Sequence, residues 1–212
     1  MAEIDHVVVG AATLEQGAEW VERTLGARPS RGGVHEGAGT HNLLLGLGRG
    51  CYLEVIAPDP GQPAPEHPRL FDLDDPALRT QLQAEPRLIA YVARTVSLEP
   101  LADRLGPRGG EVRAMRRGSL SWKMLLPPQR QDLGNLIPPM IQWDGEGHGP
   151  KLPDSKVRLA SIHAEYPEPD ALRAALAERG LGDQVIVRSS PHARLLAHFT
   201  RADGTEVVLS ND

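Results

Sequence analysis

Two residues able to bind metal and transfer protons lie inside segments that otherwise predict buried strands. His6 stands in the apolar run from Ile4 to Val9, and alternation along a strand puts it on the same face as Ile4 and Val8. Glu54 lies within CYLEVIAP, where an ionised carboxylate is costly to bury without a partner. Imidazole and carboxylate groups both bind divalent metal ions, so we expect His6 and Glu54 to face one small-molecule pocket.

His163 is a third candidate ligand. It stands seven residues before Asp170 in a later first strand, as His6 stands seven residues before Thr13. Each candidate has an ordinary alternative: a strand histidine is commonly a core residue with one hydrogen bond, and Glu54 on an edge strand would point to solvent. The hypothesis is a metal site on His6, Glu54 and His163, with Glu54 also the candidate catalytic group.

The composition limits the class of protein. The 212 residues are enough for one or two domains, and 40% hydrophobic and 24% charged residues are ordinary for a globular chain. The 22 glycines and 19 prolines predict many short elements joined by turns. The net charge is −5 and the arginines are scattered, which disfavours nucleic acid as a partner.

The sequence also bears on compartment. Cys51 is the single cysteine, so an intramolecular disulfide is impossible and a reducing compartment fits best. The acidic start MAEIDHVVVG lacks the basic region of a secretory signal, and no apolar run reaches about 18 residues. We expect a cytoplasmic protein without a membrane partner.

A strand, a capped helix and two or three short strands recur three times along the chain. The modules span about 4–58, 86–143 and 156–209, and the connecting segment 59–85 carries one short helix near 76–83. The later strands are too close together for crossover helices, so a doubly wound parallel sheet is excluded. The predicted fold is α+β, with repeated βαβββ modules forming a cupped mixed, mainly antiparallel sheet that the third module either completes or packs beside.

Local signals predict the ends of the first helix and the position of one proline-containing strand. Thr13 suits the N-cap of a helix ending at Leu25, Gln16 completes a capping box, and Gly26 suits the left-handed residue that follows. The segment LIPPMIQW in the second module contains two prolines, so its strand should lie at an edge or begin after Pro139.

Several common catalytic motifs are missing. No GxGxxG opens a helix after a strand, and neither GxxxxGK[ST] nor GxSxG occurs. The sequence therefore lacks the signatures of dinucleotide-binding, P-loop and nucleophile-elbow enzymes.

The segments IDHVVVGAATLEQGAEWVERTLG and GGVHEGAGTHNLLLGLGRGCYLEVIAPDP resemble the opening module of glyoxalase-like proteins in the vicinal oxygen chelate superfamily. PPMIQWDGEGHGP resembles a further short segment of that family. The specific motif covers residues 4–58, while the layout matches nearly the whole chain.

The resemblance implies a cupped sheet whose first and last module strands supply His and Glu ligands, so His6 and Glu54 match the ligand positions of the first module. The other modules depart from the pattern. The second has Ala90 and Tyr91 in place of the His and Gln142 near the place of the Glu. In the third, His163 matches but Val208 stands where a Glu is expected, with Glu206 as a weak substitute.

Further polar residues are candidates for the cup. We predict that His35, Asn42, Gln142 and Trp143 contact the substrate, because strand amides in a half-apolar cup can orient a ligand. Thr40 and Trp122 are also candidates, although turn closure and core packing explain such residues equally well. A cluster at Arg113, Arg116 and Arg117 either attracts an anionic ligand or forms a solvated face.

Three functions stay open. The first is a metal-assisted lyase or isomerase in which a divalent ion of unassigned identity holds vicinal oxygens of a small substrate. The second is a metal-free protein that binds a small hydrophobic compound, as resistance proteins of the superfamily do. The third is a structural or regulatory module whose cup is filled by its own side chains. We also expect a homodimer.

Overall fold

The computed structural model describes residues 2–128, 133, 136–145 and 149–212. Within these residues, eight strands form one mixed sheet and four strands form a second. The chain is therefore an α+β protein with a curled mixed sheet, as the sequence predicts. Among the helices in these ranges, none has the length and apolar character needed to cross a membrane.

The first module forms one half of the larger sheet. Its elements are β1 (Glu3–Gly10), α1 (Leu14–Leu25), β2 (Ser30–His35), β3 (Thr40–Gly48) and β4 (Cys51–Pro58). Thr13 caps α1 as predicted, and Gly26 ends it with a φ of 75°. The predicted capping box is wrong in one detail, because Gln16 Oε1 accepts from Ala12 N and not from the N–H of the cap residue.

The connecting segment and the second module follow. Their elements are α2 (Pro76–Ala84), β5 (Arg87–Arg94), α3 (Leu98–Leu105), β6 (Glu111–Arg117), β7 (Leu120–Leu126) and β8 (Met140–Trp143). β8 begins directly after Pro139, which is one of the two outcomes predicted for this segment. It lies between β5 and β7, where its residues must pair on both sides, so the prolines are left outside the strand.

The third module forms the smaller sheet. Its elements are β9 (Arg158–Tyr166), α4 (Pro169–Glu178), β10 (Val185–Ser189), β11 (Arg194–Thr200) and β12 (Glu206–Ser210). This module therefore packs beside the cup and does not complete it.

The strand order differs between the modules. The larger sheet has the order β2-β3-β4-β1-β5-β8-β7-β6, in which β1 lies parallel to β4, β5 lies parallel to β8, and β1 and β5 join the modules antiparallel. The smaller sheet has the order β10-β9-β11-β12. In the third module the last strand is therefore separated from the first by β11, whereas in the first two modules these strands are neighbours.

The larger sheet has two apolar faces. One face packs with α1, α3, α4 and the smaller sheet in a single hydrophobic cluster. The other face is concave and carries Tyr52, Met115, Trp122 and Trp143, with Leu70 and other residues of the connecting segment packed against them. We call this concave face the cup. Its lining is rich in large aromatic and sulfur-containing side chains, so much of the cup is filled by the chain itself.

The two ends of the larger sheet approach each other at the rim of the cup. Glu36 follows the last residue of β2, and its N–H donates to the carbonyl of Arg116 in β6 at 3.3 Å. The sheet is therefore curled enough for its first and last strands to meet.

A β-bulge at Asp5 interrupts the alternation of β1. Opposite β5, Ile4 pairs with Ala93 and His6 pairs with Val92, so Asp5 is the additional residue. Ile4 packs with the helix-side cluster. The prediction that Ile4 shares a face with His6 is therefore wrong, because alternation holds only in a regular strand.

Candidate functional site

His6 and Glu54 meet in the cup because β1 and β4 are parallel neighbours. Val8 stands opposite Glu54 across these strands, and His6 lies one pleat earlier, opposite Tyr52. The His6 Nε2 and Glu54 Oε2 atoms are 3.5 Å apart, and both side chains are about 95% buried. The structure therefore brings the two residues singled out in the sequence to one place.

Asp5 holds the other side of the His6 ring. Its Oδ1 lies 2.6 Å from His6 Nδ1, and its Oδ2 accepts a hydrogen bond from Trp143 Nε1 at 3.0 Å. Asp5 is completely buried. Sequence reasoning missed this residue, because regular alternation places it on the face opposite His6 and no turn or glycine signal marks the bulge.

The two carboxylates set the charge of His6. Burial alone would lower the pKa of His6, but the bonds to Asp5 and Glu54 outweigh it and raise the pKa to about 9. Burial would raise the pKa of Glu54, but the interactions with His6 and Asn42 lower it to about 2. At neutral pH the pair is therefore an imidazolium beside a carboxylate.

Asn42 connects Glu54 to His35. Its Oδ1 accepts from Gly33 N at 3.0 Å, which fixes the orientation of the amide. Its Nδ2 then donates to Glu54 Oε1 at 2.5 Å and lies 3.1 Å from His35 Nε2. Asn42 therefore orients the carboxylate, and two of the predicted cup residues, His35 and Asn42, lie beside Glu54.

The amide orientation also fixes the tautomer of His35. An amide nitrogen only donates, so His35 Nε2 is the acceptor and its proton is on Nδ1, 2.8 Å from Thr40 Oγ1. Burial lowers the pKa of His35, which agrees with a neutral ring. Its Nε2 lies 3.6 Å from Glu54 Oε1. His35 is therefore a neutral imidazole next to a charged pair.

Aromatic rings surround these polar groups. Tyr52 stacks on His6 with ring centroids 4.5 Å apart, and Trp122 meets His35 edge-on at 6.0 Å. Trp143 packs against Trp122 at 5.1 Å. Burial raises the pKa of Tyr52 well above its ordinary value, so Tyr52 stays protonated. The polar cluster is thus set in an apolar wall, which strengthens its electrostatic interactions.

Gln142 points away from the cup. Its Oε1 accepts from Leu98 N at 2.9 Å, so it caps the start of α3 on the opposite side of the sheet. Ser97, the N-cap residue of α3, makes no side-chain hydrogen bond there. Alternation along β8 explains the difference, because Trp143 faces the cup and its neighbour Gln142 cannot.

His163 lies on β9 of the smaller sheet. Its ring is 4.1 Å from that of His198, and its Nε2 is 3.0 Å from Ser161 Oγ. Burial and the nearby His198 lower its pKa. Across β9, the parallel neighbour opposite His163 is Ile186 of β10, not a carboxylate. The structure therefore does not bring His163 to the His6 and Glu54 pair.

The donor set fits a metal ion only in part. Two donors, His6 Nε2 and Glu54 Oε2, face each other at 3.5 Å, and a carboxylate behind the ring is the usual support of a metal-binding histidine. Within the described ranges, no group of three or more His, Cys, Asp or Glu side chains is arranged to hold a metal. The neutral Nε2 of His35 lies 3.6 Å from Oε1, the other oxygen of the Glu54 carboxylate.

The paired modules, the curled sheet and the His–Glu pair on parallel first and last strands define a glyoxalase-like fold. The profile of the Glyoxalase-like domain family matches residues 4–180, and the chain belongs to that family. No curated protein matches the sequence significantly.

Solved structures share the fold at low sequence identity. A hypothetical protein from Staphylococcus aureus aligns with a TM-score of 0.59 and 16% identity, over 98% of this chain and 85% of its own. Methylmalonyl-CoA epimerases align more weakly. The enzyme from Mycobacterium tuberculosis has a TM-score of 0.42 and 20% identity, over 66% of this chain and 86% of its own. The Streptomyces coelicolor enzyme has a TM-score of 0.45 and 18% identity, over 70% and 98%.

Proposed function

We propose that the chain is a glyoxalase-like lyase or isomerase that acts on vicinal oxygens of a small substrate, with a divalent metal ion held by His6 and Glu54. The observation that carries this proposal is the Asp5–His6–Glu54 arrangement. The Asp5 carboxylate fixes His6 Nδ1 at 2.6 Å and so aims Nε2 at Glu54, 3.5 Å away. Metal-binding histidines are oriented in this way by a carboxylate behind the ring.

A bound divalent ion supplies Lewis acidity, which stabilises an oxyanion on the substrate. The residues of the chain do the rest. To hold the ion, His6 would release its Nε2 proton to solvent, and Asp5 would keep the Nδ1 proton in place. Glu54 stays ionised because its pKa is low, and Asn42 holds its carboxylate in position.

His35 is the proposed proton acceptor. Its ring is neutral, and its Nε2 can take a proton from a substrate carbon or hydroxyl bound beside Glu54 in exchange for the hydrogen bond that it accepts from Asn42 Nδ2. Glu54 is the weaker acceptor, because a carboxylate with a pKa near 2 binds a proton poorly at neutral pH. Tyr52, Trp122 and Trp143 exclude water from the site.

Metal content tests this proposal. Protein purified without a histidine tag is analysed by plasma mass spectrometry, as isolated and after EDTA treatment and reloading with Mg²⁺, Mn²⁺, Co²⁺, Ni²⁺ or Zn²⁺. We expect about one ion per chain in the wild type, and loss of that ion in His6→Gln and Glu54→Gln. His163→Gln is the matched control, and it should keep the ion because His163 lies on the other sheet.

A metal-free binding protein is the second candidate. One observation favours it: His6 and Glu54 already neutralise each other, and Asp5 and Asn42 complete their hydrogen bonds. In that case the wild-type protein would hold no stoichiometric ion under any loading condition, while an apolar small molecule would still protect it against thermal unfolding.

A further inference from the structure

Two hydrogen-bond donors in the cup have no acceptor among the residues that the structure describes. Trp122 Nε1 is buried and finds no hydrogen-bond partner within those residues. Arg117 is 93% buried, and its guanidinium makes no hydrogen bond or ion pair with any residue in the described part of the chain. The Arg117 Cζ atom lies over the same Trp122, 6.0 Å from the centroid of its ring. Two orphaned donors therefore lie side by side.

Such a pair is costly in a protein that never binds a ligand. A buried N–H without an acceptor loses its hydrogen bond to water and gains none in return, and Trp122 Nε1 is such a group. The other arginines of this strand lie elsewhere, since Arg116 is exposed and Arg113 contacts Glu111. The Arg117 guanidinium therefore lies beside an unsatisfied buried donor, where one external acceptor would serve both groups.

The fold directs Arg117 into the cup. Along β6, Met115 and Arg117 share the buried face while Arg116 points outward. Gly33 in β2 leaves the space that the Arg117 side chain occupies, because a Cβ at Gly33 would lie 2.9 Å from Arg117 Cγ. A side chain at position 33 would displace the arginine, so the position of Arg117 depends on this glycine.

The two donors adjoin the His6 and Glu54 pair. Trp122 touches His35 edge-on at 6.0 Å, and His35 Nε2 lies 3.6 Å from Glu54 Oε1. Both places therefore border the same His35 ring. Guanidinium and indole N–H groups only donate, and a guanidinium matches the paired oxygens of a carboxylate or phosphate.

We propose that the cup binds a small oxygenated acid whose anionic group, a carboxylate or a phosphate, accepts hydrogen bonds from Arg117 and Trp122 Nε1. Its remaining oxygens face His6 and Glu54, and this second half rests on the function proposed above. The arginines that are close together in the sequence therefore have different roles. Arg117 lies in the ligand site, and Arg116 lies on the outer surface.

The indole N–H signals in a ¹H–¹⁵N spectrum test the anion site directly. The chain has three tryptophans, and Trp20 provides the internal control, because it lies on the helix side of the sheet and donates to Glu85. The EDTA-treated protein is titrated with glycolate, inorganic phosphate and the neutral glycolamide. We expect the Trp122 signal to shift with one or both anions, and glycolamide to bind at least 10-fold more weakly.

Two variants distinguish the buried Arg117 from the exposed Arg116 as the source of anion binding. Arg117→Gln should weaken anion binding at least 10-fold, and Arg116→Gln, its exposed neighbour, should leave it unchanged. Should Arg117→Gln fail to fold, Arg117→Lys keeps the charge without the paired donors, and the wild-type comparison of glycolate with glycolamide still decides. Tighter binding of glycolate assigns a carboxylate substrate, and tighter binding of phosphate assigns a phosphorylated one.

Equal binding of glycolamide and glycolate would overturn the proposal, and so would anion binding that Arg117→Gln leaves intact. These outcomes are independent of the metal experiment, because the titration uses metal-free protein. If the anions fail to bind but the wild-type protein holds a metal ion, the proposed function stands and the anion site does not. If the anions bind but the protein holds no metal ion, the anion site stands and the metal-dependent function does not.

Discussion

His6 and His163 occupy equivalent positions in their modules but have opposite electrostatic surroundings. His6 lies between Asp5 and Glu54, which raise its pKa to about 9. His163 faces His198, and burial with that second ring lowers its pKa. The strand order causes the difference. In the first module the last strand lies parallel to the first and places Glu54 beside His6. In the third module β11 lies between the first strand, β9, and the last strand, β12.

The comparison teaches that a repeated element pattern does not repeat a site. His6 gains Glu54 because a neighbouring strand supplies that carboxylate on the same face, and it gains Asp5 through a bulge in its own strand. The three predictions below test whether neighbouring carboxylates, rather than position in the module, account for the behaviour of each ring.

Replacing the two histidines in turn should have the largest effect. His6→Gln leaves the buried Glu54 carboxylate without its imidazolium partner and leaves Asp5 with Arg94 Nη1 at 3.9 Å, so we expect a loss of about 3–5 kcal/mol in the free energy of unfolding. His163→Gln removes one hydrogen bond with Ser161, and we expect a loss of about 1 kcal/mol. Urea unfolding at pH 7 in EDTA measures both. Equal losses would show that the carboxylates do not depend on His6.

The pH dependence of stability should have opposite signs for the two rings. The raised pKa of His6 contributes stability that is complete below pH 6.5 and is lost as the pH rises through about 9, by up to roughly 3 kcal/mol at 1.4 kcal/mol per pKa unit. The lowered pKa of His163 acts in the other direction. Below pH 6.5 the unfolded chain takes up a proton that folded His163 does not. The free energy of unfolding therefore decreases as the pH is lowered.

Unfolding in urea at pH 5–9.5 measures both slopes in metal-free protein. His6→Gln should flatten the alkaline slope, and His163→Gln should flatten part of the acidic slope. An alkaline slope that persists in His6→Gln would assign it to a different group.

The smallest effect should come from adding a carboxylate to the third module. Ile186 is exposed and lies opposite His163 on the parallel neighbour, while Val208 lies opposite His198. Ile186→Glu should therefore raise the pKa of His163 by roughly half a unit, because exposed ion pairs are worth about 0.2–1 kcal/mol. Val208→Glu should act on His198 instead. Titration of the histidine ring signals by NMR distinguishes the two, and a larger shift of His163 in Val208→Glu would contradict the strand order.

The sequence predicted the elements well because each rests on local signals. Alternation and glycine punctuation located the strands, and Thr13 and Gly26 marked the ends of the first helix. The class of sheet followed from these patterns, and the structure confirms it. The resemblance to glyoxalase-like proteins rested on specific sequence segments, and the family match over residues 4–180 confirms it. The meeting of His6 with Glu54 was also a prediction from burial and residue type, and the structure places the two side chains together.

The remaining errors arise where side-chain direction depends on non-local pairing. Asp5 was missed because a bulge, set by the pairing of β1 with β5, turns it toward His6. Gln142 was placed in the cup, but the register of β8 turns it to the start of α3. His163 was grouped with His6, because element order along the chain does not specify which strands become neighbours.

The contact between β2 and β6 at the rim also affects how the protein behaves at high concentration. Unpaired backbone groups on an edge strand are a template for intermolecular strand pairing and fibril growth. In this sheet the Glu36 to Arg116 bond occupies part of both edges and turns them toward each other. A second chain must therefore uncurl the sheet before it can extend it, so strand-mediated self-association would begin at β10 or β12 of the smaller sheet.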